Sequence, residues 1–337
     1  MITHNREKGL TLVELLVAMV IGLIVVASVI LIFVANSRIF RSTEAMSGIQ
    51  ESARFAVHYM AKDVRMAGFQ GCADGRSITP RNNVDINSDG VADDISGIFD
   101  MDAVVNGTDN LASGTTVGSY TAATGSDMIR VQYGGSCGGH LVGNMTSENA
   151  NIQISANNSC ALSANQPLII TDCQTIDIVA ATTVSDGAGK TTISHATNVN
   201  LDNRLSKAYL EGSEVFGLQS YSYLVSTSLI SGNPTLVRWD NSTSTGQELV
   251  EGVVDMQITY GADTDGDGAS NYYVPAGTAG LDLSQVVSVK ISMLVTSENE
   301  VAVEPVTYSY NGSDVTAGDR RIYKVFTHTI ALRNHLN

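Results

Sequence analysis

From Leu15 to Ala35 the chain runs for 21 residues without a charged side chain, and most of them are aliphatic. No other feature constrains the fold as much, because so apolar a surface has to leave water. As a helix the run is roughly 31 Å long at about 1.5 Å per residue, enough to cross a hydrocarbon core. It is too long for the apolar region of a cleaved secretory signal, and no A-x-A pattern follows it. Arg6 and Lys8 precede it, which predicts a cytoplasmic N-terminal end and an exported remainder. Glu14, at the start of the run, is the anomaly. A carboxylate at mid-membrane costs about 2.5–3.5 kcal/mol on insertion scales, less near the interface. The plain reading is an interfacial residue favoured by the positive end of the helix. The sharper reading begins with cleavage between Gly9 and Leu10, which creates an ammonium four residues before Glu14. In a stack of such helices, Glu14 of one subunit neutralises the N-terminus of its neighbour.

Past Arg38 the helical pattern continues without proline to about Gly68. Ile39, Met46, Ile49, Ala53, Ala56, Met60, Val64 and Ala67 recur at spacings of three, four and seven, which predicts an amphipathic stripe. Gly68 is the expected stop. Beyond Cys72, with 31 Gly, 5 Pro and only 16% charged residues in the chain, the pattern changes to short β-rich runs between polar turns. These are Met128–Tyr133, Pro167–Thr171, Thr175–Ala180, Thr235–Trp239, Val253–Tyr260, Val286–Val295 and Ile322–Leu332. Val254, Met256, Ile258 and Tyr260 alternate with polar neighbours, predicting one buried face. The expectation is an α+β chain with a leader over 1–9, a membrane-spanning half-helix over 10–35 and an amphipathic half over 36–68. A head over 69–337 follows, its antiparallel sheet packed on the helix and with strand enough for a second small β subdomain. Asn82 to Val131 and Ala181 to Lys207 read as loop.

Four cysteines lie beyond the apolar run, an even count that suits two disulfides in an exported head. Three pairings are possible. Cys160 with Cys173 is favoured because the two bracket a loop and a short strand, leaving Cys72 with Cys137. Zinc is the competing reading, since Cys137 and His140 sit at C-x-x-H spacing, but no second pair supports it. Two acidic loops carry further chemistry. Asp85, Asn87 and Asp89 alternate before Gly90, and Asp263, Asp265 and Asp267 do so before Gly268. Calcium takes six to eight oxygens, and alternate Asp or Asn with a Gly at the turn supplies several. The carbonyl of Val91 or Ala269 adds another, with Asp93 or Asp94 completing the first site and Asn271 contributing to the second. The bidentate Glu of an EF-hand is absent from both, and such stretches are also good turns without metal.

The formal charge of −15 argues against general nucleic-acid affinity. Arg320, Arg321 and Lys324 form the one compact basic cluster and read as a strand edge. Ser136 lies near His140 but lacks G-x-S-x-G order, and no phosphate-binding G-x-x-x-x-G-K-[ST] is present, so an enzyme is not expected.

The segment "KGLTLVELLVAM" resembles the class III signal of type IV pilins and type II secretion pseudopilins, with Leu10 where Phe is usual. That resemblance implies cleavage by prepilin peptidase at Gly9–Leu10, N-methylation of Leu10 and a role for Glu14 in assembly. "RMAGFQGC" (Arg65 to Cys72) is similar to the helix exit of PilW-type minor pilins, and Gly252 to Gly268, Val286 to Val295 and Thr329 to Asn334 agree. The family implies a pilin-like fold and a subunit that waits in the bacterial inner membrane with its head in the periplasm. It implies partners among other minor pilins, the major pilin, a tip adhesin and the inner-membrane assembly platform. Its expected work is to help initiate the pilus at or near the tip, with links to adhesion, twitching and DNA uptake. The alternatives are a minor pseudopilin of a type II secretion system and a stand-alone calcium-dependent adhesin.

Overall fold

In the computed structural model, residues 12–72, 78–93, 100 and 103–335 are described. One helix, Leu12–Met66, carries the chain from its apolar run into the head without a break. Side chains over 12–35 are exposed, Leu12 at 74% and Phe33 at 73%, and none of them belongs to the core of the head. Burial begins at Ile49 and continues through Ala53, Ala56, Met60, Ala61, Asp63 and Val64. The stripe therefore works as expected from Ile49 onward, while Ile39 stays 64% exposed. Gly68 ends the helix with φ +74 and gives its N–H to the Gln132 carbonyl, a conformation that glycine adopts at little cost.

The head is built on two main sheets. The larger has eight strands, with Glu214–Thr227 at its centre pairing Met128–His140, Pro167–Thr171 and Pro234–Asp240. Four strands make the second, in the order Tyr272–Val274, Val253–Ala262, Val286–Thr296, Tyr323–Ala331. Both contribute to one core around the buried part of the helix: Ile129, Val131, Tyr223 and Leu236 from the first, Met256, Ile258, Val289 and Ile291 from the second. Gly252 alone separates Thr245–Glu251 in one sheet from Val253–Ala262 in the other. The second small β subdomain is present as well. Ile152–Ser155, Lys190–Ser194 and Thr183–Gly187 form a three-stranded sheet over its own apolar cluster, which includes Leu141, Ile154, Ile193 and Val215.

Several expectations need correction. The segments read as loop contain strands at Val105–Thr108, Thr183–Gly187 and Lys190–Ser194. These strands are short and mix β-branched residues with polar and turn-forming ones, such as Asn106 and Gly107 or Asp186 and Gly187. The local pattern therefore reads as loop, and neighbouring strands supply the hydrogen bonds that make them. The 14-residue strand Glu214–Thr227 was not expected either, its Ser and Gln residues masking the period. A bulge between Val253 and Asp255 shifts the register, so Val253 is buried and Val254 only half-buried. One pair, Arg81–Asn82 with Ile176–Ala180, is parallel rather than antiparallel.

Candidate functional site

Gly9 and Leu10 lie outside the described residues, as does Asp94. Glu14 stands in the first turn of the helix, on the half whose side chains are exposed. That surface of Leu, Ile and Val is available to lipid or to other helices, and Glu14 is the acidic residue at its N-terminal end.

The other half is locked. Asp63, 3% exposed, accepts hydrogen bonds from the phenols of Tyr133 (2.8 Å) and Tyr223 (2.6 Å). Arg238 Nε lies 3.0 Å from the same carboxylate but does not direct its N–H at it, so that pair is ionic. The guanidinium is stacked 3.5 Å from the centre of the Tyr221 ring. Burial, reinforced by the Asp63 charge, pushes the Tyr133 and Tyr223 phenols well above their ordinary range, so both remain donors. One helix residue thus holds three strands of the larger sheet, and the direction in which the helix leaves the head is set by a charged contact inside the core.

The disulfide pairing differs from expectation. Cys72 is bonded to Cys173 and Cys137 to Cys160. Cys160 and Cys173 lie on opposite sides of Pro167–Thr171, a strand of roughly 16 Å at about 3.3 Å per residue, whereas bridged Cα atoms sit within about 7 Å. The first bond ties the chain just past the helix exit to the turn after that strand. The second closes the small subdomain and removes Cys137 as a zinc ligand. His140 Nδ1 is 3.1 Å from the Gly138 carbonyl. Arg320 and Arg321 meet Glu300 and Asp319, and Lys324 lies over the Phe326 ring.

The two acidic loops share one hydrogen-bond plan. Asp85 accepts the N–H of Gly90 (3.1 Å), as Asp263 accepts that of Gly268 (2.8 Å). Asp89 accepts the N–H of Val91 and Asp267 that of Ala269, both at 2.8 Å. In the second loop single carboxylate oxygens of Asp263, Asp265 and Asp267 lie within 4.8 Å of one another. Burial alone would raise the Asp263 carboxyl, but the N–H groups of Gly268 and Gly266 and the neighbouring Asp265 outweigh it and hold it below the ordinary range. Asn271 is drawn elsewhere: its oxygen takes the Thr264 N–H (2.6 Å) and its amide donates to Asp265 (3.2 Å). In the first loop Asn87 takes the middle place and accepts from Asp89 N–H, while Asp93 folds back to accept the Ile86 N–H. Among the described residues no comparable triple of carboxylates forms there.

Comparison with known proteins adds three findings. Residues 222–334 match the family model of type IV pilus-assembly protein W, and residues 4–30 match the prokaryotic N-terminal methylation motif. A pilin-like protein of Thermus thermophilus, PilA3, is 39% identical over 62 residues, spanning 18% of this chain and 27% of that protein. No solved structure matches.

Proposed function

We propose that this chain, a type IV pilus minor pilin of the PilW type, helps to start pilus assembly and stays at or near the pilus tip. The observation that carries this is the single helix Leu12–Met66, bare over its apolar half and locked to the head by Asp63 over the other. A protein built this way presents its bare half to a membrane while it waits and to other helices once assembled. Removal of residues 1–9 leaves an ammonium at Leu10, and Glu14 of one subunit answers that of the next. The partners are other minor pilins, the major pilin, a tip adhesin and the inner-membrane platform, with prepilin peptidase acting first. The head is exported to the periplasm, where its two disulfides form.

The test is a deletion strain scored for surface pili and twitching on one side and for protein secretion on the other. Loss of pili with secretion intact supports the reading; the reverse favours the pseudopilin alternative. Glu14→Ala in that strain is expected to leave processing intact and to reduce incorporation, with mass spectrometry locating N-methylated Leu10 as the first residue. Calcium is the cofactor that the repeated loop plan favours, at Asp263, Asp265 and Asp267 before the Asp85–Asp93 loop. Titration calorimetry is expected to show binding at about 0.1–1 mM, the range of extracellular modules, abolished by Asp265→Ala; no heat at millimolar calcium counts against it.

A further inference from the structure

Tyr323–Ala331 is the outermost strand of the four-stranded sheet. It pairs Val286–Thr296 over nine consecutive positions without a bulge. Two hydrogen bonds just beyond its ends give its phase. The N–H of Leu332 goes to the Val287 carbonyl, and that of Ser297 to the Ile322 carbonyl, both in the register of the pair. In an antiparallel ladder, alternate residues give their backbone groups to the partner strand and the others turn theirs away. Even-numbered residues from Ile322 to Leu332 therefore bond the neighbouring strand. Tyr323, Val325, Thr327, Thr329 and Ala331 direct N–H and C=O outward, and among the described residues none of these N–H groups meets an acceptor. Thr327, Thr329 and Ala331 are exposed. Free edges are generally blunted in native proteins, as the others here are. Tyr272–Val274, at the far side of the same sheet, is three residues long. Thr245–Glu251, which ends the larger sheet, is bulged against its partner, and its Glu248 and Glu251 are tied to the neighbouring turn.

Charge identifies what this edge takes. The chain has a formal charge of −15, yet from Arg320 to His335 it holds no Asp or Glu. Arg320 and Arg321 are answered by Glu300 and Asp319. Lys324 and Arg333, both exposed, form no ion pair among the described residues. The free edge is thus a cationic rim on an acidic molecule. A second copy of the same edge brings the same cations, and like charges facing across a ladder oppose one another. An extended segment with Asp or Glu at alternate positions fits instead. The strand also runs beside the helix. At its start Arg321 lines a cleft with Arg41 and Glu44, and just past its end the Asn334 amide donates to the Ala67 carbonyl (3.3 Å). The edge is therefore stretched along the outer half of the helix rather than confined to the far end of the head.

We propose that Tyr323–Ala331 accepts an extended acidic segment of a neighbouring subunit as a further strand of its sheet. The outward N–H and C=O groups of Val325, Thr327 and Thr329 form the new ladder, and Lys324 and Arg333 meet the carboxylates. That the donor is another subunit rests on the assembly reading; the ladder does not, and the two are tested apart.

The probe is a short synthetic peptide alternating Val with Glu, added to the full-length chain in detergent micelles. Amide hydrogen exchange over 323–331 is read by mass spectrometry. The outward amides are expected to exchange freely in the chain alone and to slow by about tenfold or more with the peptide. A Val–Lys peptide, which lacks the charge, is expected to leave them unchanged. So is a Val–Glu peptide N-methylated at alternate residues, which lacks the donors. Thr327→Pro removes an outward N–H that the native sheet does not use, so it is expected to keep the denaturant midpoint and lose the protection. If that variant does not fold, the N-methylated peptide still separates a ladder from charge attraction alone. No protection by the Val–Glu peptide at millimolar concentration overturns the inference, and so does equal protection by the N-methylated one. Outward amides already slow in the chain alone, and slower at higher protein concentration, assign the edge to a second copy and overturn it too. In cells, Thr327→Pro is expected to reduce surface pili as deletion of the chain does; parental piliation by this variant overturns a neighbouring subunit as the donor. Pili untouched by the deletion itself overturn the assembly reading, and the peptide result then decides the ladder.

Discussion

Asp63 and Asp127 show how single carboxylates organise this head in opposite ways. Asp63 is paired with Arg238 and two phenols, so removing it strands a half-buried guanidinium. Asp63→Ala is expected to cost about 3–5 kcal/mol in urea unfolding, and replacing both partners with apolar residues of similar volume to cost less. Asp127, 2% exposed, joins the two sheets: its carboxylate accepts the N–H groups of Asn110 (2.9 Å) and Ile258 (2.6 Å), and its own N–H goes to the Met256 carbonyl. Burial outweighs those two donors, with help from the Asp109 and Asp255 charges, and lifts the carboxyl from 3.8 to about 6. A carboxyl raised by folding binds its proton more tightly in the native state. Its stabilising contribution is therefore full below about pH 4 and is lost as pH rises through about 6. The group itself is expected to contribute roughly 2–3 kcal/mol more at pH 4 than at pH 7. Asp127→Asn is expected to flatten that part of the stability profile, and an unchanged profile would remove Asp127 from it.

At the scale of elements, the sheets meet at Gly252. Its φ is +91, and a Cβ there would lie 2.9 Å from the Thr296 carbonyl oxygen. Its N–H reaches the Pro234 carbonyl and its own carbonyl accepts from Thr296 N–H, so the chain changes sheet without losing a hydrogen bond. Gly252→Ala is expected to destabilise by about 1–3 kcal/mol with little change in the steepness of unfolding, as measured by denaturant titration. The helix was legible because its stripe from Ile49 to Val64 repeats locally. Pro167–Thr171 matched its strand residue for residue because consecutive Leu168, Ile169 and Ile170 report burial on both faces. Glu214–Thr227 was hidden, since Ser220, Ser222 and Ser226 are buried there by partners such as Asn241 and the Thr121 carbonyl, distant in sequence.

For the whole molecule, the division of labour along the helix implies that the head does not depend on the apolar half. Side chains over 12–35 are exposed and make no part of the core. A variant lacking residues 1–35 is expected to be soluble without detergent and to unfold at the same denaturant midpoint as the full chain. A markedly lower midpoint would show that the membrane half supports the fold. By itself the sequence determined the anchor, the Glu14 anomaly, the amphipathic continuation and the acidic repeats, because each is written in neighbouring residues whose spacing carries its own physics. Tertiary structure decided what joins distant residues: Cys72 to Cys173, and Asp63 to Arg238 and its tyrosines. Those depend on which strands lie side by side, and strand order is set by burial summed over the whole chain rather than by any local pattern.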